Sequence, residues 1–292
     1  MNPLDCTLPT PAENLACDEA LLEAAEAGEC GEVLRFWEPR QLFVVVGYAN
    51  KLATEVNLEA CESRGVPVLR RCSGGGTVLQ GPGCLNYAVV LRMEGFERLR
   101  TISAANRFIM ERNRAAIEYL LSSRETISLG NTGAVPFPLL TPPKDGPDMA
   151  DGGSTLPAHE MQTASMVEHN VQTSRPHVSV EGHTDLTLAG RKFSGNSQRR
   201  RRRFLLFHGT FLLDFDLAQM ETLLPLPSQQ PRYRQSRGHH DFLVNLHLPA
   251  AMVKAALSNV WHVTTPLSEV PGRRIEALVK DKYSTRDWNF RF

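Results

Sequence analysis

Two short stretches of the chain carry residues whose types and spacing suit the handling of an anion. The first is Arg70-Arg71-Cys72-Ser73-Gly74-Gly75-Gly76-Thr77-Val78-Leu79. Three glycines in a row cost backbone entropy and make sense where the main chain must approach a ligand closely or take positive φ. Free N–H groups in such a loop can hold phosphate or carboxylate oxygens. An adjacent arginine adds a two-pronged, permanently charged clamp. No Gly-Lys-Ser/Thr follows, so the loop is not a P-loop, and it has no G-x-G-x-x-G in a Rossmann context. The second stretch is Gly190-Arg191-Lys192-Phe193-Ser194-Gly195-Asn196-Ser197-Gln198. Lys192 follows a turn and offers a compact point charge, with Ser194, Gly195 and Asn196 as small hydrogen-bonding neighbours. Taken singly, the first also fits a plain glycine turn and the second a polar hairpin with a solvated lysine.

A third feature is the run Arg199-Arg200-Arg201-Arg202-Arg203. Like charges in a row are usually solvated, but they can steer an acidic protein or a polyphosphate. Nucleic acid fits poorly, because few aromatic residues interleave for base stacking. The six cysteines, Cys6, Cys17, Cys30, Cys61, Cys72 and Cys84, all lie in the first third of the chain. None forms a C-x-x-C pair and no histidine completes a zinc spacing, so reduced thiols and no metal site are expected. His239 and His240 are adjacent and would point in different directions from a helix or a strand.

These residues need a frame. Glu13–Ala27 reads as a helix stopped by Gly28. Glu32–Trp37 and Leu42–Val46 read as strands, Val56–Ser63 as a short helix, and Pro67–Arg71 as the strand that delivers the glycine loop. Leu85–Arg92 is a further strand and Ser103–Ser122 a long amphipathic helix. Thr184–Ala189, Lys192–Arg199 and Phe204–Leu213 alternate like a hairpin or meander. Asp216–Leu224, Ala250–Val260 and Arg274–Tyr283 are candidate helices. Strands and helices mix without strict alternation, which predicts an α+β domain. Between them, residues 131–176 hold seven of the nineteen prolines and no hydrophobic period. Such a segment buries too little apolar surface to offset its chain entropy, and is expected to be a flexible, dispensable insertion within one domain spanning 1–292.

Composition sets outer limits. With 292 residues, 42% of them hydrophobic, the chain can build a substantial core. Thirty-two basic and thirty-two acidic residues cancel, so overall charge favours neither nucleic acid nor a membrane surface as partner. The N-terminus lacks a basic start followed by an apolar run, and no apolar stretch is long enough to cross a bilayer. A cytoplasmic location is expected.

Together the patterns say more than each alone. Arg-Arg-x-Ser-Gly-Gly-Gly, then Asn86, then Gly-x-Lys-x-Ser-Gly in a later hairpin resembles the lipoate–protein ligase and lipoyl (octanoyl) transferase superfamily, whose biotin–protein ligase relatives share the fold. Asn14-Leu15-Ala16-Cys17-Asp18-Glu19-Ala20-Leu21, Gly47-Tyr48 and His208-Gly209 agree with it. The resemblance runs from about residue 12 to 290. It implies a mixed, largely antiparallel sheet flanked by helices. It also implies an ATP-dependent ligase that activates lipoate or octanoate to an acyl-adenylate and passes the acyl group to a lysine of a lipoyl carrier domain. Carriers of that kind are 2-oxoacid dehydrogenase acyltransferase subunits and the glycine-cleavage H-like protein. Carried over by position, Arg71, Ser73 and the loop Gly74, Gly75, Gly76, Thr77, Val78 and Leu79 would hold the acyl-adenylate. Lys192 would be the catalytic cation on its carboxyl and phosphate oxygens. Asn86, Ser194, Gly195 and Asn196 would complete the site, with an apolar slot between strands for the acyl chain. Mg²⁺ would arrive with ATP, held largely by phosphate oxygens.

The chain departs from that pattern in informative places. Ligases often carry His-Asp just beyond the glycine loop, where Gln80-Gly81 stands here. Ligases commonly use an accessory C-terminal domain or a separate small subunit. Without residues 131–176 this chain is about the size of the catalytic domain alone, so a partner for the activation step is implied. In the transferases a cysteine takes the acyl group as a thioester and normally follows the lysine motif. No cysteine follows Cys84 here, which ranks ligase above transferase. A non-catalytic protein that binds lipoate or docks carriers is the alternative of a different class. The arginine run is a candidate docking edge for an acidic carrier.

Overall fold

The computed structural model describes residues 1–128, 177–265, 267 and 269–292; the expected insertion at 131–176 lies outside them. Strands β1 (Asn2–Asp5), β2 (Val33–Trp37), β6 (Cys84–Arg92), β7 (Val178–Glu181), β8 (Asp185–Leu188), β9 (Arg191–Arg200) and β10 (Phe204–Leu212) build the main sheet. Its order is β1-β2-β6-β10-β9-β8-β7. Every neighbouring pair is antiparallel except β1 and β2. A small second sheet has the order β4-β3-β5, from β3 (Phe43–Val46), β4 (Val68–Arg70) and β5 (Val78–Gln80). The fold is α+β with a largely antiparallel sheet, as the sequence predicts.

Alternation along the central strands explains the layers. In β6, Leu85, Tyr87, Val89 and Leu91 face one hydrophobic cluster, while Ala88 and Val90 face another. In β10, Leu205, Phe207 and Phe211 take the first face and Phe204 and Leu206 the second. A strand covered on both sides by period-two apolar residues needs helices on both faces. Helix α4 (Ile102–Ser128) and helix α7 (Ala250–Val260) cover the first face, and helix α1 (Pro11–Ala27) with α8 (Gly272–Leu278) covers the second. A third cluster, with Val44, Val46, Leu79 and Leu212, joins the small sheet to the main one.

Helix α1 begins two residues before the expected Glu13. Thr10 and Glu13 form a reciprocal capping box, and Pro11 fits the first turn. Short elements depart further from the sequence reading. Helix α3 (Leu58–Ser63) starts after the Asn57 cap, not at Val56, and α2 (Leu52–Glu55) precedes it. Strands β1, β5 and β7 and the terminal turn α9 (Arg286–Asn289) were not expected. Strands of three or four residues are too short to show a period, and only their pairing partners define them. The expected helix Arg274–Tyr283 is α8 followed by one π-helical turn, Val279–Tyr283. The two adjacent histidines diverge: α6 (His239–Phe242) buries His239 and leaves His240 exposed.

Candidate active site

The glycine loop joins β4 to β5, and Lys192 opens β9 in the other sheet. Both line one cavity of about 300 Å³ between the sheets. From the loop side, Arg71, Gly75, Gly76, Thr77 and Val78 face it; from the main sheet, Asn86, Lys192, Gly195 and Asn196 do. An adjoining slot of about 100 Å³ shares Thr77, Val78, Lys192 and Gly195 and adds Leu79 and Ser194. Leu212, Met220, Leu224 and Leu243 make this branch apolar. Ser73 and Gly74 line neither space: Ser73 is buried behind the loop and Gly74 is exposed on it. The anion-handling stretches, 120 residues apart in sequence, therefore meet in a cleft with one polar and one apolar lobe.

Arg71 shapes the loop as much as it faces the cavity. Its guanidinium donates to the carbonyls of Gly74 at 2.5 Å and Gly76 at 2.8 Å, and to Ser73 Oγ at 3.2 Å. Burial lowers its pKa to about 10. With the Val45 carbonyl as a fourth acceptor at 3.4 Å, the guanidinium curls the loop from within while still lining the cavity. The N–H groups of Gly75, Gly76 and Thr77 make no hydrogen bond to another described residue. They remain available to a ligand. Gly47 is required beneath the loop, because a Cβ there would lie 2.0 Å from the Gly75 carbonyl oxygen.

Lys192 owes its position to a bulge. Leu186 of β8 pairs with Ser194 and Thr187 with Lys192, leaving Phe193 as an extra residue. A bulge re-aims the side chains beside it. The Lys192 ammonium folds over Gly195, where an added Cβ would come within 2.7 Å of Nζ. Nζ pairs with Asp185 Oδ1 at 2.8 Å, and Tyr233 donates to Asp185 Oδ2 at 2.7 Å. A second cation, Arg234, lines both lobes with its guanidinium 4.5 Å from the Phe242 ring centroid.

The polar floor is closed by two networks. Gln80 donates to Thr210 at 2.6 Å, Thr210 to Asn86 at 2.5 Å, and Asn86 to Gln80 at 2.9 Å. Gln80, standing where ligases often carry histidine, is therefore tied into a ring with Asn86. Asn196 donates to the Thr184 carbonyl at 2.7 Å and accepts from Tyr87 at 2.6 Å, and Tyr87 accepts from Asn113 at 2.7 Å. Asn86 and Asn196 thus face the cavity but use their amides to brace it. Trp37, in the same polar lobe, keeps a buried indole N–H with no acceptor among the described residues.

A further group was not singled out for chemistry in the sequence. Arg35 of β2, fully buried, pairs with Asp18 of α1 at 2.5 Å. Asp18 Oδ2 lies 3.0 Å from His208 Nδ1, His208 Nε2 2.6 Å from Ser73 Oγ, and Ser73 Oγ 2.7 Å from Ser197 Oγ. Burial acts to raise the Asp18 pKa, but Arg35 and His208 outweigh it and hold the carboxylate below its ordinary range. Asp18 and His208 belong to stretches that carried the family resemblance, yet only the assembled sheet puts Ser197 opposite His208.

No cysteine lines either lobe. Cys72 and Cys84, which flank the glycine loop in sequence, are buried, and desolvation pushes each thiol up to about 12. Among the described residues no group of three or more His, Cys, Asp or Glu is placed to hold a metal ion. No helix among them is long and apolar enough to cross a membrane. Three members of the arginine run have partners within the chain: Arg200 donates to the carbonyls of Leu99 and Arg100, Arg201 reaches Glu23, and Arg203 binds Glu26 of α1. Pairing with α1 ties down Arg203 and one side of Arg201, while Arg201 and Arg202 stay exposed.

The site is a cleft between two sheets, with an N–H-lined loop, a partly exposed lysine ammonium and an apolar branch. The chain belongs to the lipoyl protein ligase A/B catalytic domain family, whose model matches residues 10–115 and 155–252, and is a lipoylation-related enzyme of the ligase and transferase kind. Octanoyltransferase LipM of Brevibacillus brevis is 25% identical over 297 residues, covering 97% of this chain and 95% of its own. LipM of Carboxydothermus hydrogenoformans is 28% identical over 297 residues, covering 96% and 95%. Among solved structures, the bi-partite lipoate protein ligase of Thermoplasma acidophilum, studied with its E2 lipoyl domain, superposes with a TM-score of 0.66 at 21% identity over 99% of this chain and 96% of that one. Lipoate-protein ligase A bound with ATP gives 0.64 at 21% identity over 99% of each chain.

Proposed function

We propose that this chain transfers a lipoyl or octanoyl group to a lysine of a lipoyl carrier domain, from an acyl-adenylate that it forms with ATP. The observation that carries this reading is the shared cavity of the glycine loop and Lys192, opening into an apolar slot, with no cysteine on its walls. The acyl chain would occupy the slot beside Leu79, Met220 and Leu243. The activated carboxyl would lie at the junction of the lobes, within reach of Lys192 and the N–H groups of Gly75, Gly76 and Thr77. Developing negative charge on its oxygens would meet preorganised donors and a cation. Ser194 and Gly195 would border the acyl carbonyl, while Asn86 and Asn196 would brace the floor. Mg²⁺ would enter with ATP, bound mainly by phosphate oxygens. The Thermoplasma acidophilum ligase is bi-partite, and a separate accessory subunit would likewise be a partner for the activation step here. Carriers would be 2-oxoacid dehydrogenase acyltransferase subunits or a glycine-cleavage H-like protein.

A second reading is transfer from an acyl thioester, favoured by near-full-length similarity to octanoyltransferases. One experiment separates the two. The protein is incubated with a lipoyl domain and either ATP, Mg²⁺ and lipoate, or octanoyl carrier protein without ATP, and the carrier is weighed by mass spectrometry. The adenylate route gives the lipoyl mass shift only in the first mixture. A shift only in the second assigns the thioester route. Tight lipoate binding with no shift in either would make the chain a non-catalytic binder.

A further inference from the structure

Four side chains from four segments form a hydrogen-bonded line beside the cavity: Asp18 of α1, His208 of β10, Ser73 behind the glycine loop, and Ser197 of β9. With the His208 ring neutral, as a proton acceptor must be, the direction of every hydrogen bond in this line follows from the first member. Asp18 is held ionised beside Arg35 and can only accept. The His208 Nδ1 therefore carries the proton it shares with Asp18, and in the neutral ring Nε2 accepts. Ser73 must then donate to His208. Ser73 also receives the Arg71 Nε–H at 3.2 Å, and with its one proton committed, it can only accept from Ser197. The Ser197 proton is thus turned inward, and its oxygen lone pairs are left for the cavity that Ser197 lines. Ser73, 1% exposed, has no opening of its own.

The end of the line lies where an acceptor would arrive. Ser197 is two residues along β9 from Gly195, the residue that Lys192 covers, and an added Cβ on Gly75 of the glycine loop would lie 3.5 Å from Ser197 Cβ. Ser197, His208 and Asp18 line the polar lobe and not the apolar slot, so the relay flanks the carbonyl end of the acyl chain.

We propose that Asp18, His208, Ser73 and Ser197 form a proton relay that takes the proton from the acceptor lysine during acyl transfer, with Ser197 as the group that touches the amine. This rests on the acyl-transfer reading but not on which donor is used. The amine nitrogen attacks the acyl carbonyl carbon and a C–N bond forms. One N–H proton passes to Ser197 Oγ as the Ser197 proton moves to Ser73 Oγ and the Ser73 proton to His208 Nε2. The bond from the carbonyl carbon to the leaving oxygen or sulfur breaks, and its electron pair departs with the leaving group. Asp18 stabilises the imidazolium, which returns its proton to solvent after a nucleotide leaves, or to the thiolate after a thioester is cleaved. Positioned general bases of this kind contribute about 10²–10⁴-fold.

The test compares two acceptors with whichever donor the wild type uses: the lipoyl domain, whose lysine amine meets Ser197 when docked, and hydroxylamine, a small, more reactive nucleophile that gives up its N–H proton to water or buffer. Ser197→Ala, Ser73→Ala and His208→Gln are each expected to lower transfer to the lipoyl domain roughly 10²-fold. Hydroxamate formation should fall much less, and Ser197→Thr, which keeps the hydroxyl, should recover most of the transfer. A parallel loss with both acceptors would show that the four residues only hold the glycine loop, and overturn the relay. So would unchanged transfer in the Ser197 and His208 variants. A wild-type protein giving neither hydroxamate nor acylated carrier with any donor would overturn the acyl-transfer reading, and the relay with it.

Discussion

The two charged clusters that border the cavity are built in opposite ways. The Lys192–Asp185–Tyr233 group is assembled beside a local hairpin and is partly open, with the Lys192 and Asp185 side chains 23% and 14% exposed. The Arg35–Asp18–His208–Ser73 group draws on four separate segments and is closed to solvent, with Arg35 and Asp18 at 0% and 3%. A partly open cation can exchange its protein partner for a ligand at small cost. A buried pair cannot, because removing one partner strands a charge in a poorly solvating interior. The contrast fits the roles proposed above: the first cluster is open enough to serve a reacting group, and the second is buried enough to hold the frame beside the proposed relay.

Asp18→Ala should produce the largest effect. It leaves the Arg35 guanidinium buried without its carboxylate, at a cost of about 3–5 kcal/mol, read as a fall in denaturation midpoint. The sign with pH follows from the depressed carboxyl. Its contribution to stability is complete above the ordinary carboxylate range and is lost as pH falls through the folded value. Asp18→Ala should therefore lose part of the acid-side dependence seen in the wild type; an unchanged acid limb would place the Asp18 contribution elsewhere. Lys192→Ala should behave in the converse way, lowering transfer on the order of 10²–10³-fold with a denaturation midpoint close to wild type. A collapse of the fold in that variant would erase the distinction between the clusters.

Smaller effects sharpen it. Narrowing the apolar slot with Leu243→Phe should raise the Michaelis constant for octanoate and lipoate more than for a shorter acid. Each methylene that no longer fits is worth about 1–3 kcal/mol, and equal changes for all chain lengths would move the acyl chain elsewhere. Arg201→Gln breaks a half-exposed pair with Glu23. It should cost less than about 1 kcal/mol and leave the salt dependence of carrier transfer nearly unchanged. A strong shift in that dependence would restore the arginine run as a docking edge.

Much of the frame was legible in the sequence because burial on two faces writes a clear period. β6 and β10 alternate between two helix-covered clusters, and α1 and α7 carry apolar faces or caps. β1 and β5 were not legible, since three or four residues show no period and their partners lie far along the chain. The glycine loop and Lys192 were legible as a pair only through the family resemblance that their motifs carry together. The bulge at Phe193 that aims Lys192 was not, because it is defined by pairing with β8. Asp18 reads in sequence as one more residue of a helix, and Ser197 as one more of a polar strand. Their chemistry exists only once β9 and β10 pair Ser197 with His208 and α1 packs above them.

The most direct measurement is a calorimetric titration of a non-hydrolysable lipoyl-adenylate analogue into the wild type, Lys192→Ala and a glycine-loop variant, Gly76→Pro. The account predicts tight one-to-one binding to the wild type, weakened at least tenfold by either change although the two positions belong to different sheets. Equal affinity in all three proteins would contradict it.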